Sequence, residues 1–202
     1  MRKPLPCPEP SVKSVTPSDR IGRARRRSGA LAAGGFTMIE LMVTVAVMAT
    51  ILALAAPNFR DFIINNRLTA QINDLVADIS LARSEAASRG IRVTVCASAD
   101  LNSCTGSGDA WQGGRIVFID TNANGTREST EQILKRTESV GGSRTLVASG
   151  FPNTYFLSFR PYGGLLPATG GTFKLCDPAV GTGRTVVVAA TGRPSASKVA
   201  CP

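Results

Sequence analysis

Asp120, Asn122, Asn124, Gly125 and Glu131 fall in the order D-x-N-x-N-G-x5-E. Oxygen-bearing side chains at alternate positions, a glycine for a sharp turn and a closing carboxylate are what a calcium loop requires. The same stretch has a plainer reading. Asn124-Gly125 is a strong hairpin-turn dipeptide, and the segments on either side read as strands. Two ligand positions carry amides in place of carboxylates, and Arg127 stands inside the loop. The reading taken is a structural turn, with calcium held by Asp120, Asn122, Asn124 and Glu131 as its alternative; no cofactor is required.

Catalytic chemistry finds little support. The chain has no histidine, which removes the commonest general base and the commonest metal ligand. Lys135, Lys174 and Lys198 lie in no serine–lysine motif, and "GSGDAWQGG" (106–114) lacks the G-K-[ST] of a phosphate loop. The chain is read as a non-enzyme, with Trp111 as a core or interface anchor. Five cysteines are present, Cys7 before the long apolar run and Cys96, Cys104, Cys176 and Cys201 after it. An even number on one side points to an oxidising compartment there. Four cysteines allow three pairings; Cys96–Cys104 with Cys176–Cys201 keeps both partners local and is preferred. Four free thiols are the alternative, and no C-x-x-C spacing suggests zinc.

The net charge of +9 is unevenly placed. Eight basic residues against two acidic precede Phe36, leaving fifteen against twelve after it. From Gly141 onward there are six basic residues and one acid, Asp177. A one-sided basic patch is the electrostatic footprint of nucleic-acid binding. Arg184, Arg193 and Lys198 are the candidate phosphate contacts, since a guanidinium fork matches phosphate. With no aromatic residues between them, such binding would be to backbone. A solvated face, or a surface meeting an acidic neighbour, is the competing reading.

These groups need elements to place them. Residues 1–22 hold five prolines and no periodicity and read as disordered. "RARRR" (23–27) lies just before the run from Phe36 to Ala56, which carries one charge in 21 residues, Glu40. That length spans a bilayer, and the basic flank keeps its end in the cytoplasm. The arginines lack what a twin-arginine signal needs after them, and Pro57 opposes a signal-peptide cut at 53–56. Pro57 is expected to kink the helix without ending it. Phe59, Phe62, Ile63, Ile72, Leu75, Val76, Ile79, Ala82 and Ala86 recur at spacings near three and four, with Arg60, Asp61, Arg67, Asp74, Asp78 and Arg83 largely between them. This predicts one helix from about Thr37 to about Arg89, its second half amphipathic, stopped by Gly90. Period-two segments follow at 91–97, 114–120, 131–137, 144–149, 154–160, 171–177 and 183–191, predicting an antiparallel sheet of six or seven strands.

Gly34-Gly35 before Phe36, Thr37-x-x-Glu40 and the long apolar run resemble the N-terminal signature of type IV pilins and type II secretion pseudopilins. "WQGGRIVFIDTNANGTRES" (111–129), "ARSEAASRGIRVTVC" (82–96) and "VVVAATGRPSASKVAC" (186–201) are similar to the GspH/FimT branch. The resemblance implies an α+β pilin-like fold: a long N-terminal helix, half transmembrane and half amphipathic, packed on an antiparallel sheet. It implies a cytoplasmic leader (1–35), a membrane half (36–56), an amphipathic half (57–90) and an exported β-rich domain (91–202). A prepilin peptidase would cut between Gly35 and Phe36 and methylate Phe36. Glu40 would neutralise the amino terminus of a neighbouring subunit, an ionisable group in lipid being costly until paired. The implied place is the bacterial inner membrane, crossed once with the domain in the periplasm, and then a filament of other pilins or pseudopilins. Assembly, priming or a tip role follows. The alternative is a DNA-uptake pilin, which that branch links to a C-terminal Gly-Arg-x-Arg; here the stretch reads Gly192-Arg193-Pro194-Ser195.

Overall fold

The computed structural model of the chain describes residues 35–105 and 111–201. The leader through Gly34 and part of the glycine-rich loop after Cys104 lie outside them. Helix α1 runs Met38–Arg89. Thr37 caps it, and Gly90, with φ +65°, ends it in the left-handed conformation that glycine adopts freely. No single helix among the described residues is long and apolar enough to cross a membrane. The lengths Met38–Leu54 and Phe59–Arg89, bent by 41° at their break, meet that description together.

The buried seam of α1 is Leu68, Ile72, Leu75, Ile79, Ala82 and Ala86. Spacings of four and three keep these residues on one face. Phe59 and Phe62, expected on the core face, are 64% and 61% exposed, and Ile63 is exposed too. The seam begins only at Leu68, so the exposed apolar surface of the helix continues past Pro57.

Among the described residues nine strands form two antiparallel sheets where one was expected. The first sheet has β1 (Val93–Ala97), β2 (Arg115–Ile119), β3 (Ile133–Thr137), β5 (Phe156–Phe159) and β6 (Leu165–Leu166), in the order β3-β2-β1-β5-β6. The second has β4 (Thr145–Ser149), β7 (Gly171–Asp177), β8 (Thr182–Val188) and β9 (Pro194–Ala200), in the order β4-β7-β8-β9. The helix seam, Val93, Val95 and Val117 of the first sheet, and Leu146, Phe173, Leu175, Val186 and Val188 of the second form one core. Trp111 is fully buried there, its ring edge-on to Phe173 and its Nε1 donating to the Thr154 carbonyl at 2.6 Å.

β1 and β2 are buried at every position. Their far face carries a second cluster, Cys96, Ile116 and Phe118, packed by Leu101, Cys104, Ile133 and Phe156. The Cys96–Cys104 disulfide, Cα–Cα 5.6 Å, holds the covering loop in place. The second disulfide, Cys176–Cys201, joins the end of β9 to β7 with Cα atoms 5.9 Å apart.

Asp78 departs from the sequence reading most sharply. Expected between the apolar positions, it is 0% exposed. Its Oδ2 accepts from Arg115 Nε on β2 and from Thr137 Oγ1 on β3 at 2.9 Å. Lys135 Nζ stands 2.6 Å from Oδ1, outside hydrogen-bonding alignment, so that contact is a charge pair only. Arg115 is itself buried. A buried carboxylate persists only when paired and hydrogen-bonded; here two hydrogen bonds to Oδ2 and two cations hold it, fastening α1 to the first sheet.

Candidate functional site

At the front of α1, Thr37 Oγ1 accepts the Glu40 N–H at 3.2 Å, and the Thr37 carbonyl takes the first helical bond, from Leu41 N. Thr37-x-x-Glu40 thus has the spacing of a capping box, and Glu40 lies in the first turn, where an anion favours the helix dipole. The capping role of Thr37 was legible in the four-residue spacing alone. Phe36 is 83% exposed, and Met38, Ile39, Leu41 and Met42 are exposed after it. At Gly35 an added Cβ meets nothing within 4 Å among the described residues, so these place no demand for glycine there. Pro57 lies within the break of α1.

The loop from Asp120 to Glu131 satisfies its own oxygens. Asp120 Oδ2 accepts from Thr94 Oγ1 at 2.8 Å and from Gly125 N at 3.1 Å, and Oδ1 accepts from Asn124 N at 3.1 Å. Glu131 Oε1 accepts from Thr121 N and Oγ1, and Oε2 from Glu128 N. Asn122 Oδ1 accepts from Asn124 N, and Asn124 Oδ1 from Thr126 N. The Asn124 amide, donating to Glu128 Oε1 at 2.6 Å, is the main reason that the Glu128 carboxyl sits below its ordinary value. Among the described residues no group of three or more His, Cys, Asp or Glu is placed to hold a metal ion. The donors that would face calcium are turned to backbone N–H groups, the geometry of an Asx-stabilised turn. Gly125, with φ +76°, also lets the loop close over the Phe156 ring, 2.5 Å from where a Cβ would stand.

The three candidate phosphate contacts are not brought together. Arg184 is 8% exposed; Nη1 donates to the Gly183 carbonyl at 3.0 Å and Nη2 to Thr69 Oγ1 of α1 at 3.2 Å. It is a strand-to-helix tie, which corrects its expected place in an exposed patch. Lys198 lies directly across from it on β9 and is exposed. Arg193 is exposed in the turn at the other end of the β8–β9 hairpin. Five residue steps along the strand separate it from Lys198, about 17 Å. The glycine before it has a structural reason: Gly192 has φ +78°, and a Cβ there would stand 2.6 Å from the Gly163 carbonyl and 2.9 Å from the Phe159 ring.

Sequence pattern gave no sign of a different convergence. Arg83 Nε of α1 donates to the Gly163 carbonyl at 3.2 Å, and Arg160 Nη1 donates to the Tyr162 hydroxyl at 2.8 Å. Leu165 N donates to the Ala190 carbonyl at 3.0 Å, joining this turn to the β8–β9 turn. Beside them lies an open cleft of about 380 Å³.

Residues 71–192 match the family described as type II transport protein GspH. The chain is also similar to the type IV minor pilin FimU of Pseudomonas aeruginosa. In one crystal form of that protein the TM-score is 0.51 at 25% identity, covering 67% of this chain and 92% of that one. In a second the values are 0.48 and 24%, covering 64% and 91%. A search of the curated proteins finds no match.

Proposed function

We propose that this chain, which belongs to the type II transport protein GspH family, is an exported minor pilin or pseudopilin that serves by being built into a filament. The observation that carries this reading is the first part of α1: a capped helix, apolar and exposed from Phe36 to Leu54, on the same chain as a folded β-domain. Exposed apolar surface of that extent marks a membrane or protein contact. A prepilin peptidase cuts after Gly35 and methylates Phe36. The order Gly34-Gly35 before Phe36, Thr37-x-x-Glu40 and the long apolar run supports this. The helix holds the chain in the bacterial inner membrane, with its N-terminus cytoplasmic and the disulfide-tied domain in the periplasm. Pro57 supplies the bend at which the membrane half meets the amphipathic half.

Glu40 supplies the drive to assemble. An unpaired carboxylate in lipid is costly, and the amino terminus of a neighbouring subunit relieves that cost. The similarity to a type IV minor pilin favours a pilus-priming place over a secretion pseudopilus. A DNA-receptor role through Arg184, Arg193 and Lys198 gains no support, because one is buried and the other two lie at opposite ends of a hairpin. The test is incorporation. Filaments sheared from cells making the full chain should contain it, and Glu40→Gln should leave it in the membrane fraction. Equal incorporation of parent and variant would defeat the assembly role of Glu40.

A further inference from the structure

We infer that the cleft beside the 160–165 turn docks an acidic segment of a neighbouring filament subunit. The inference rests on the pilin reading above and adds a named surface and a partner chemistry. The cleft is lined by Arg83, Tyr162, Leu165, Ala168, Ala190 and Thr191. Its walls are fixed by backbone bonds: Arg160 N to the Gly164 carbonyl at 2.8 Å, Gly163 N to the Arg160 carbonyl at 2.7 Å and Leu165 N to the Ala190 carbonyl at 3.0 Å. Gly163, with φ +82°, makes the turn and brings its carbonyl to Arg83. The surface is therefore formed before anything binds, which lowers the ordering cost of association.

Among the described residues its cations have no ion-pair partner. The four ion pairs among the described residues use Arg89, Arg115, Lys135 and Arg144. None uses Arg83, which lines the cleft, Arg160, which bonds the lining Tyr162, or Arg193, two positions along from the lining Thr191. From Gly141 to the end the sole acid is Asp177, which pairs with Arg144. Tyr162 is 70% exposed, with the Arg160 guanidinium carbon 5.8 Å from its ring centroid. Arginine and tyrosine are the residue types enriched where protein surfaces meet, and lysine is depleted there.

The shape separates a protein partner from a nucleic acid. A strand of nucleic acid calls for a positive groove with repeated stacking faces. Here one cation, Arg83, lines a concavity with Leu165, Ala168 and Ala190, and a second, Arg160, bonds the Tyr162 hydroxyl of the same lining. Lys174 lies on β7 and Lys198 opposite Arg184 at the far end of the hairpin, so no basic stripe continues from the cleft. A carboxylate beside a small apolar side chain satisfies both the guanidiniums and the floor.

The test places a photoreactive group at the cleft in the full chain, made in its own cells: Tyr162→p-benzoylphenylalanine. After irradiation the sheared filament fraction is digested and the attachment sites are read by mass spectrometry. The inference predicts attachment to another subunit, within a few residues of Asp or Glu. The crosslinked fraction should fall about tenfold with Arg83→Gln/Arg160→Gln, as truncating buried interface arginines does, and stay level with Lys198→Gln. Thr191→Glu, which adds an anion at the rim without removing a structural group, should reduce it similarly. Attachment to a segment without acids, attachment to nucleic acid, a yield indifferent to these variants, or no crosslink in a chain that is present in filaments would each overturn the inference. Absence of the parent chain from filaments would overturn the pilin reading with it, a result the unirradiated fraction reveals separately.

Discussion

Asp78→Ala leaves Arg115 without the carboxylate to which its Nε donates, at a site where both side chains are within 2% of full burial. Two donors, Arg115 Nε and Thr137 Oγ1, and one further cation, Lys135, converge on that carboxylate from β2 and β3. Lys135 is 38% exposed and can turn to water. Thr137, only partly buried, loses one bond that water can replace. The Arg115 guanidinium has neither option, and removing one partner of a buried pair costs about 3–5 kcal/mol. Against a total stability of about 5–15 kcal/mol, that is a large fraction. For a chain of this size it lowers the melting temperature by about 6–20 °C. The assay is thermal and urea unfolding of the full chain in detergent, followed by far-UV circular dichroism with the disulfides intact. Asp78→Leu/Arg115→Met removes both charges and should recover most of the loss, because an apolar pair of similar volume often matches a buried ion pair. A loss below about 1 kcal/mol for Asp78→Ala, the range of exposed ion pairs, would refute the latch. Strict additivity in the double variant would refute it too.

Gly183→Ala should impair the second disulfide. A Cβ there would lie 2.2 Å from the Leu175 carbonyl, 2.6 Å from Cys201 Sγ and 3.2 Å from Cys176 Sγ; thiol titration of the unfolded variant should find free Cys176 and Cys201, and full oxidation with parental stability would count against it. Asp120→Ala should cost at least about 4 kcal/mol, since bonds to a carboxylate contribute about 1.5–3 kcal/mol each and this one receives three. Millimolar calcium should leave the parent's melting temperature unchanged; a calcium-dependent rise that Asp120→Ala abolishes would restore the metal reading. Asp100 is held below its usual value of 3.8 by the Ser103 hydroxyl and then by the Ser103 and Asn102 N–H groups. A depressed carboxyl stabilises the folded state above its unfolded value and loses that contribution as pH falls through the folded one. Hydrogen-exchange protection of the Asn102 and Ser103 N–H groups should therefore hold from pH 7 to about 5 and decline progressively from about 4 downward, toward the lowered folded value, a dependence that Asp100→Asn removes.

The helix was legible because its seam repeats for five turns, and most strands because valine and isoleucine alternate between glycine and proline breaks. β9 was not. "PSASKVA" opens on proline and carries serine and alanine, with no alternation of buried and exposed positions. Its place is set by seven register pairs with β8 and by the disulfide at Cys201, which are long-range facts. The division into two sheets was hidden for the same reason, since period two gives a strand its faces but not its neighbours. Asp78 misled because a charge in an amphipathic pattern is assigned to water unless its partners are known, and these lie 37 and 57 residues away. The candidate cations divided along the same line. Composition counted Arg184, Arg193 and Lys198 together, whereas hairpin geometry buries the first and separates the others. The Arg83–Tyr162 convergence joins a helix to two turns and left no local signature. Thr37-x-x-Glu40, a contact within one helical turn, could be read directly.

The most direct test of the account is the intact mass and N-terminal sequence of the chain recovered from sheared filaments of its own cells. The account predicts a mature chain beginning at N-methylated Phe36, present in the filament fraction, with Cys96–Cys104 and Cys176–Cys201 oxidised. A chain recovered only from the membrane, with residues before Phe36 still attached, would contradict it.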